Sequence, residues 1–267
     1  MLNRPFSHHS DVPPLDRRGA ASPARPLDDR LRKTLRAARR VVVLTGAGVS
    51  AESGIPTFRE AQHGLWAQFD PEKLATLEGF LCQPRQVWAW YTQRRQVIAQ
   101  AEPNAAHRAL ADWQQRLHSC HIVTQNVDGL HQQAGSDTVT ELHGNIHRDR
   151  PLEGPVPKVL AADPKLPRCP ETGTPLRPDV VWFGEALPAG TLEQAGAAIR
   201  NSDLLLSIGS SSLVQPAASL PLEALERGIP VLEINPEPTP LTPVADWSLR
   251  GKAAEIVPQL VAAATNR

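Results

Sequence analysis

Three groups of residues have types and spacings suited to chemistry. Gly46-Ala47-Gly48-Val49-Ser50-Ala51 fits the Gly-x-Gly-x-x-Gly/Ala fingerprint, in which small residues let the main chain approach a pyrophosphate at a helix N-terminus. Tight turns also need glycine, so the motif gains weight from the apolar run just before it. No strand ending in Asp or Glu follows about 20 residues on, where a conventional dehydrogenase would hold the adenine ribose. The chain continues Glu52-Ser53-Gly54-Ile55-Pro56-Thr57-Phe58-Arg59 instead, which disfavours ordinary hydride transfer. The second group is Tyr91 and Arg94, which share one face of a predicted helix. A guanidinium can grip a carboxylate bidentately and a phenol can add a hydrogen bond. An amphipathic helix with an aromatic core face and an exposed arginine has the same pattern. The third group is histidine, whose near-neutral pKa suits proton transfer; the chain has nine, so residue type alone singles out none. His107, in Pro103-Asn104-Ala105-Ala106-His107, falls at a predicted helix start, where it would cap or pack. His8, His9 and His147 are expected in solvent.

The elements that must position these groups follow from periodicity. Val41-Val42-Val43-Leu44-Thr45 is apolar and β-branched and ends at once in Gly46, as a buried parallel strand entering a phosphate-binding turn does. Apolar runs of strand length recur at 121–124, 204–208 and 231–234, and helical patterns occupy 27–40, 85–101, 104–117, 191–201 and 217–227. The alternation predicts an α/β fold, a Rossmann-like parallel sheet with the site in loops at the strand C-termini. Segment 146–178, rich in Pro, Gly and charge, breaks the rhythm and reads as a smaller inserted lobe with little regular structure. Residues 1–26 read as a disordered leader, and 27–267 as the folded domain.

Composition narrows the class of partner. Lys plus Arg and Asp plus Glu both total 28, so no long-range field favours nucleic acid or a membrane surface. Hydrophobic residues at 41% and charged residues at 21% are ordinary globular usage. Three irregularly spaced cysteines, Cys82, Cys120 and Cys169, suit reduced thiols in a cytoplasmic protein better than a disulfide framework. The longest apolar run is too short to cross a bilayer. No apolar stretch follows the early charges as in a secretory signal, and Asp11, Asp16, Asp28 and Asp29 within the first 40 residues argue against an import peptide. A monomer is expected.

Four ordered segments are similar to the sirtuin family. They are Gly46-Ala47-Gly48-Val49-Ser50 through Gly54-Ile55-Pro56-Thr57-Phe58-Arg59, Thr124-Gln125-Asn126-Val127-Asp128-Gly129-Leu130-His131, Glu141-Leu142-His143-Gly144-Asn145, and Val180-Val181-Trp182-Phe183-Gly184-Glu185. The resemblance runs from about residue 35 to the C-terminus. It implies an enzyme that uses NAD as co-substrate to remove acyl groups from protein lysines, giving nicotinamide and an O-acyl-ADP-ribose. Cleaving the nicotinamide–ribose bond makes an oxocarbenium-like centre, so such a site needs a dry nicotinamide pocket and a nucleophile held on the opposite ribose face. In the family that nucleophile is the substrate amide oxygen.

The resemblance also implies roles. The catalytic residues would be His143, Asn126 and Asp128, with His143 as general base on a ribose hydroxyl. Asp128 would bind the nicotinamide carboxamide, Ile55 and Val127 would line its pocket, Phe58 would shield the reactive ribose carbon, and Gln125 and Asn126 would position ribose hydroxyls. Gly46, Ala47, Gly48, Ser50, Glu52, Gly54, Pro56, Thr57 and Arg59 complete the opening cofactor motif. Gly209-Ser210-Ser211-Ser212 resembles the loop holding ribose and phosphate, Asn235 the adenine-ribose contact and Gly251-Lys252-Ala253 the adenine-edge turn. Val181, Phe183, Gly184 and Glu185 would hold the substrate.

Trp88-Ala89-Trp90-Tyr91-Thr92-Gln93-Arg94-Arg95 resembles the Tyr-x-x-Arg helix of class III sirtuins, the desuccinylase and demalonylase branch. Leu74-Ala75-Thr76 matches it too, small Ala75 leaving room for a longer acyl chain. The resemblance therefore favours succinyl- or malonyl-lysine, with acetyl-lysine open. The family's structural zinc uses two Cys-x-x-Cys pairs. Here Arg150-Pro151-Leu152-Glu153-Gly154 replaces the first pair and Cys169-Pro170-Glu171-Thr172-Gly173 keeps one cysteine of the second, so the lobe is a degenerate zinc module and no metal is expected. Asn145 stands where serine is usual. Two other readings use the same residues: a catalytically weak NAD or ADP-ribose binding module, suggested by the lost metal ligands, and a protein mono-ADP-ribosyltransferase.

Overall fold

The computed structural model describes residues 27–57 and 74–265; the expected leader lies outside them. Strand β1 (Arg40–Thr45) is buried after its first residue and feeds two cores at once. Val41 and Val43 join one, Val42 and Leu44 the other. That period of two, apolar on both sides, marks a strand covered on both faces.

Around it lie β2 (Ser119–Thr124), β3 (Val139–Glu141), β6 (Leu204–Ile208), β7 (Val231–Ile234) and β8 (Trp247–Leu249). They form one parallel sheet in the order β3-β2-β1-β6-β7-β8. Counted within the sheet this is 3-2-1-4-5-6, the doubly wound order whose direction reverses between β1 and β6. Helices α1 (Asp29–Ala37), α4 (Ala105–Gln114) and α9 (Ala253–Thr265) cover one face through Leu31, Leu110, Trp113 and Leu260. Helices α7 (Thr191–Arg200) and α8 (Leu220–Glu226) cover the other through Ile199 and Ala224. The periodicity reading misses β3 and β8, each three residues long, because so short a run carries no period. It also misses α9, which holds Pro258 inside it, a residue that reads as a breaker.

The segment expected to have little regular structure, 146–178, carries most of an antiparallel ribbon of β4 (Gly144–Pro151) and β5 (Leu176–Val180), with a short helix α6 (Lys158–Ala162) between them. The outer half of β4 is charged and shows no apolar alternation. Ion pairs hold it instead, Arg148 with Asp179 of β5 at 2.9 Å and Arg150 with Glu185, in the loop beyond β5, at 3.5 Å. A third core beneath the ribbon joins Ile146, Leu160 and Trp182 to Phe80 of α2 (Leu77–Cys82) and to Val87, Trp90 and Tyr91 of α3 (Pro84–Ala99). Arg168 laces the lobe internally, donating to the carbonyls of Ala161 (2.5 Å), Gly173 (2.9 Å) and Asp163 (3.2 Å). Arg85 adds a two-pronged bond to Asp163, both contacts at 2.8 Å.

Candidate active site

At the point where strand order reverses, the loop after β1 and the loop after β6 touch backbone to backbone. Gly46 N–H donates to the Ile208 carbonyl at 3.0 Å and Gly48 N–H to the Gly209 carbonyl at 2.9 Å. A Cβ on Gly48 would sit 2.7 Å from Gly209 Cα, and Gly209 has φ +62° with no room for a side chain. These two glycines are therefore fixed by sterics. The fingerprint's expected α-helix does not follow. Two single 3-10 turns, Ala47–Val49 and Ala51–Ser53, end at Gly54 with φ +83°, and Pro56 lies just beyond.

Behind this loop is a buried polar cluster. Ser50 Oγ donates to Asp128 Oδ2 at 2.7 Å and accepts from Asn126 Nδ2 at 3.1 Å, while Asp128 Oδ1 accepts from Leu130 N–H at 3.0 Å. Burial raises the Asp128 pKa, opposed by those hydrogen bonds and by His147. His107 Nδ1 accepts from Asn104 N–H at 3.3 Å, completing the cap of α4, so its Nε2 carries the proton facing Ser50 Oγ at 3.4 Å. Next to it, His131 Nε2 lies 3.0 Å from Thr45 Oγ1, which reaches Thr124 Oγ1 at 2.8 Å, which in turn accepts from Asn126 N–H at 3.0 Å. His107, expected to cap or pack, does cap α4. Thr124 and His131 lie at the two ends of the second motif and Thr45 ends β1, but the sequence assigns none of them a place beside Ser50, because the contacts that bring them there join separate strands and helices.

His143 stands at the mouth, its Nδ1 2.9 Å from the Gln125 carbonyl, with its own carbonyl accepting from Val181 N–H. Burial lowers its pKa and the Gln125 bond partly restores it. Gln125 Nε2 donates to Ser210 Oγ (3.0 Å) and Asn235 Nδ2 to the Ser210 carbonyl (2.7 Å), joining the loops after β2, β6 and β7. Ser211 follows in the same loop, before Ser212 at φ +56°. Glu52 accepts from Ala254 N–H at 3.3 Å beside Ala253, at the start of α9.

On the lobe side, Phe183 N–H donates to the Ala75 carbonyl at 2.9 Å, and the Phe183 side chain is exposed beside Gly184. Ile55 and Val127 pack half-buried against the lobe core. Tyr91 is fully buried, and its phenol oxygen accepts from Trp182 Nε1 at 2.9 Å. Arg94 lies against the rings of Trp90 (4.8 Å) and Tyr91 (5.5 Å). Glu185, expected to hold substrate, is turned inward. It pairs with Arg177 and accepts from Trp182 N–H at 2.8 Å, and these bonds keep its pKa low against the opposing effect of burial. Its visible work is to shape the loop.

Residues 46–216 match the Sir2 family. The chain is 46% identical to NAD-dependent protein deacylase 1 of Archaeoglobus fulgidus over 243 residues, covering 88% of this chain and 97% of that one. It is 50% identical to the NAD-dependent protein deacylase of Thermus thermophilus over 232 residues, covering 84% and 90%.

The chain belongs to the Sir2 family.

Among solved structures it is similar to a Sir2 homolog–NAD complex (TM-score 0.80, 45% identity, 90% of this chain and 95% of that one). It also matches a Sir2 bound to acetylated peptide (TM-score 0.74, 29% identity, 86% and 95%).

Against the Sir2 pattern, two departures now have geometry. Where the family pairs cysteines, this Sir2 chain has Arg150 bonded to Glu153 (3.4 Å) and Cys169 near Thr172, whose hydroxyl donates to Thr174 Oγ1 at 3.0 Å. One thiol does not make a tetrahedral zinc site, and among the described residues no group of three His, Cys, Asp or Glu is placed to hold a metal. Asn145 donates to Glu141 Oε1 at 2.6 Å and accepts from His147 N–H at 2.9 Å, a two-sided brace that serine is too short to make. Phe58 and Arg59 lie outside the described residues, and Thr57 is the last residue before that gap. No described helix is long and apolar enough to cross a membrane.

Proposed function

We propose that this NAD-dependent protein deacylase of the Sir2 family acts on acidic acyl groups, succinyl and malonyl, on protein lysines, with acetyl-lysine also accepted. The observation that carries the acyl assignment is Arg94. Its guanidinium is half-buried, burial lowers its pKa against the pull of Tyr91 and Asp128, and among the described residues no carboxylate is bonded to it. A desolvated cation without a partner is costly unless a ligand supplies the anion. Adjacent Arg95 is fully engaged by Ile146 O (2.6 Å), Arg148 O (3.2 Å) and Asp149 (2.5 Å). Ala75 at the same end leaves space for a longer chain.

NAD supplies the cleavable nicotinamide–ribose bond and the ADP-ribose that accepts the acyl group. The chain's part is to orient and to move a proton. Asp128, held by Ser50 and the Leu130 N–H, presents an ordered acceptor for the nicotinamide carboxamide, with Ile55 and Val127 excluding water from the pocket. Asn126 and Gln125 fix the ribose hydroxyls. His143 keeps a free Nε2 lone pair because Nδ1–H is bound to the Gln125 carbonyl, which is the form a general base needs. The N–H groups of Gly46, Gly48 and Gly209 are spent on carbonyls that hold the two loops together, so the glycines give the pyrophosphate close access to the backbone and the N–H groups of Ala47 and Ser210 would bind it. The same reading has the protein acting as a monomer in the cytoplasm.

The test is turnover of matched succinyl-, malonyl- and acetyl-lysine peptides with NAD. Arg94→Met should lower kcat/KM on succinyl and malonyl peptides by roughly ten- to hundredfold, the worth of a charge-assisted contact, and spare the acetyl peptide. NAD binding without turnover of any peptide would replace this reading by the binding module. ADP-ribosylated protein as the product would replace it by the transferase.

A further inference from the structure

We infer that Trp182 is a positioning residue for acyl-group specificity, because its indole N–H fixes the Tyr91 phenol as a hydrogen-bond donor toward the acyl carboxylate. The inference rests on the acidic-acyl reading above and deepens it. An indole nitrogen only donates, so at 2.9 Å from Trp182 Nε1 the Tyr91 oxygen must accept. The phenol hydrogen is then left over, and no described group accepts it. Burial raises the Tyr91 pKa, so the group stays a neutral donor at physiological pH.

The indole is itself immobilised. Trp182 is 1% exposed, packs on Phe80 with ring centroids 5.3 Å apart, and carries the Arg177 guanidinium on its face at 3.3 Å. Arg177 is 3% exposed and held by Glu185 and by the Val180 carbonyl at 2.8 Å. Glu185 and Arg177 therefore lock Trp182, Trp182 orients Tyr91, and Tyr91 stands beside Arg94 with an unspent proton. An acidic acyl group would accept from both, whereas the methyl of an acetyl group offers them nothing. A free phenol could turn and donate elsewhere, so the indole contact makes the pocket select rather than merely tolerate a carboxylate.

The experiment compares kcat/KM on succinyl and acetyl peptides for the wild type, Trp182→Phe, Tyr91→Phe and the double variant. Trp182→Phe should lower the succinyl-to-acetyl ratio on the order of fivefold, the worth of one neutral hydrogen bond, chiefly through KM. The double variant should be no less selective than Tyr91→Phe alone, since both changes remove one device. Equal losses on both peptides, or additive losses of selectivity, would overturn the inference. A benzothiophene analogue at position 182, which keeps the ring and loses only the N–H, makes the same comparison if Trp182→Phe fails to fold. A wild type with no succinyl turnover is a separate outcome, which removes the acidic-acyl reading itself.

Discussion

His143 Nδ1 lies 2.9 Å from the carbonyl oxygen of Gln125, at the end of a different strand. A carbonyl only accepts, so the proton sits on Nδ1 and the lone pair on Nε2. Burial holds the pKa below its usual 6.5. The neutral, base-competent form therefore persists below that pH, and kcat/KM should fall only as pH drops through the lowered value. An acidic limb centred at or above the usual value would contradict this. His143→Ala should lower kcat by about 10²–10⁴-fold on every peptide.

His107 and His131 stack with ring centroids 4.9 Å apart in the dry core. Burial, aided by Arg108, lowers the His107 pKa to about 4; burial, aided by His107, lowers that of His131 to about 3. Because the folded values lie below the unfolded 6.5, both contribute fully above 6.5 and lose their contribution as pH falls toward about 4 and about 3. Each should cost about 1.4 kcal/mol per pH unit while only the unfolded chain takes up the proton. Urea midpoints measured at about pH 7, 6 and 5 test this, with His107→Gln giving a shallower slope; stability that is flat over the range would refute it.

Gly48→Ala would drive a Cβ into backbone at 2.7 and 2.9 Å. Separating the two loops should cost about 1–3 kcal/mol, seen as both a lower Tm and weaker NAD binding by calorimetry. Gly135→Ala is the control. Its φ of +98° makes it strained as well, but the added carbon meets open space, so it should affect Tm alone.

Arg168→Ala removes the guanidinium that ties four carbonyls of the lobe together, those of Leu160, Ala161, Asp163 and Gly173. A loss of about 1–3 kcal/mol is expected, with faster hydrogen exchange across 160–176 and little change in the sheet. Chelators should leave Tm where it was; a chelator-induced drop would show that the lobe is held by metal after all.

Arg95→Met should lower stability through its lost bonds to β4 while leaving the succinyl-to-acetyl ratio unchanged, the reverse of Arg94→Met. Thermal melts and the two peptide assays on both variants decide it. Loss of selectivity in Arg95→Met would reassign the carboxylate contact.

Much of this protein was legible as a string. The run Val41-Val42-Val43-Leu44-Thr45 followed by Gly46 specifies a buried strand and a tight turn, because apolar β-branched residues and glycine each have narrow conformational uses. The ordered motifs around Asn126, Asp128 and His143 carry the family. Segments with three residues or with charge in place of alternation, such as β3, β8 and the outer half of β4, were not legible, since their stability comes from partners distant in sequence.

What the tertiary structure alone decided is direction and pairing. Sequence places Tyr91, Arg94 and Arg95 on one helix, but not that Arg95 is consumed by Asp149 while Arg94 has no carboxylate bonded to it among the described residues. It places Glu185 in a substrate motif, but not that Arg177 and Trp182 turn it inward. It lists nine histidines, and only the acceptor at Gln125 fixes which nitrogen of His143 is free. The physical reason is the same throughout: residue type sets what a side chain can donate or accept, and the fold determines which partner it meets.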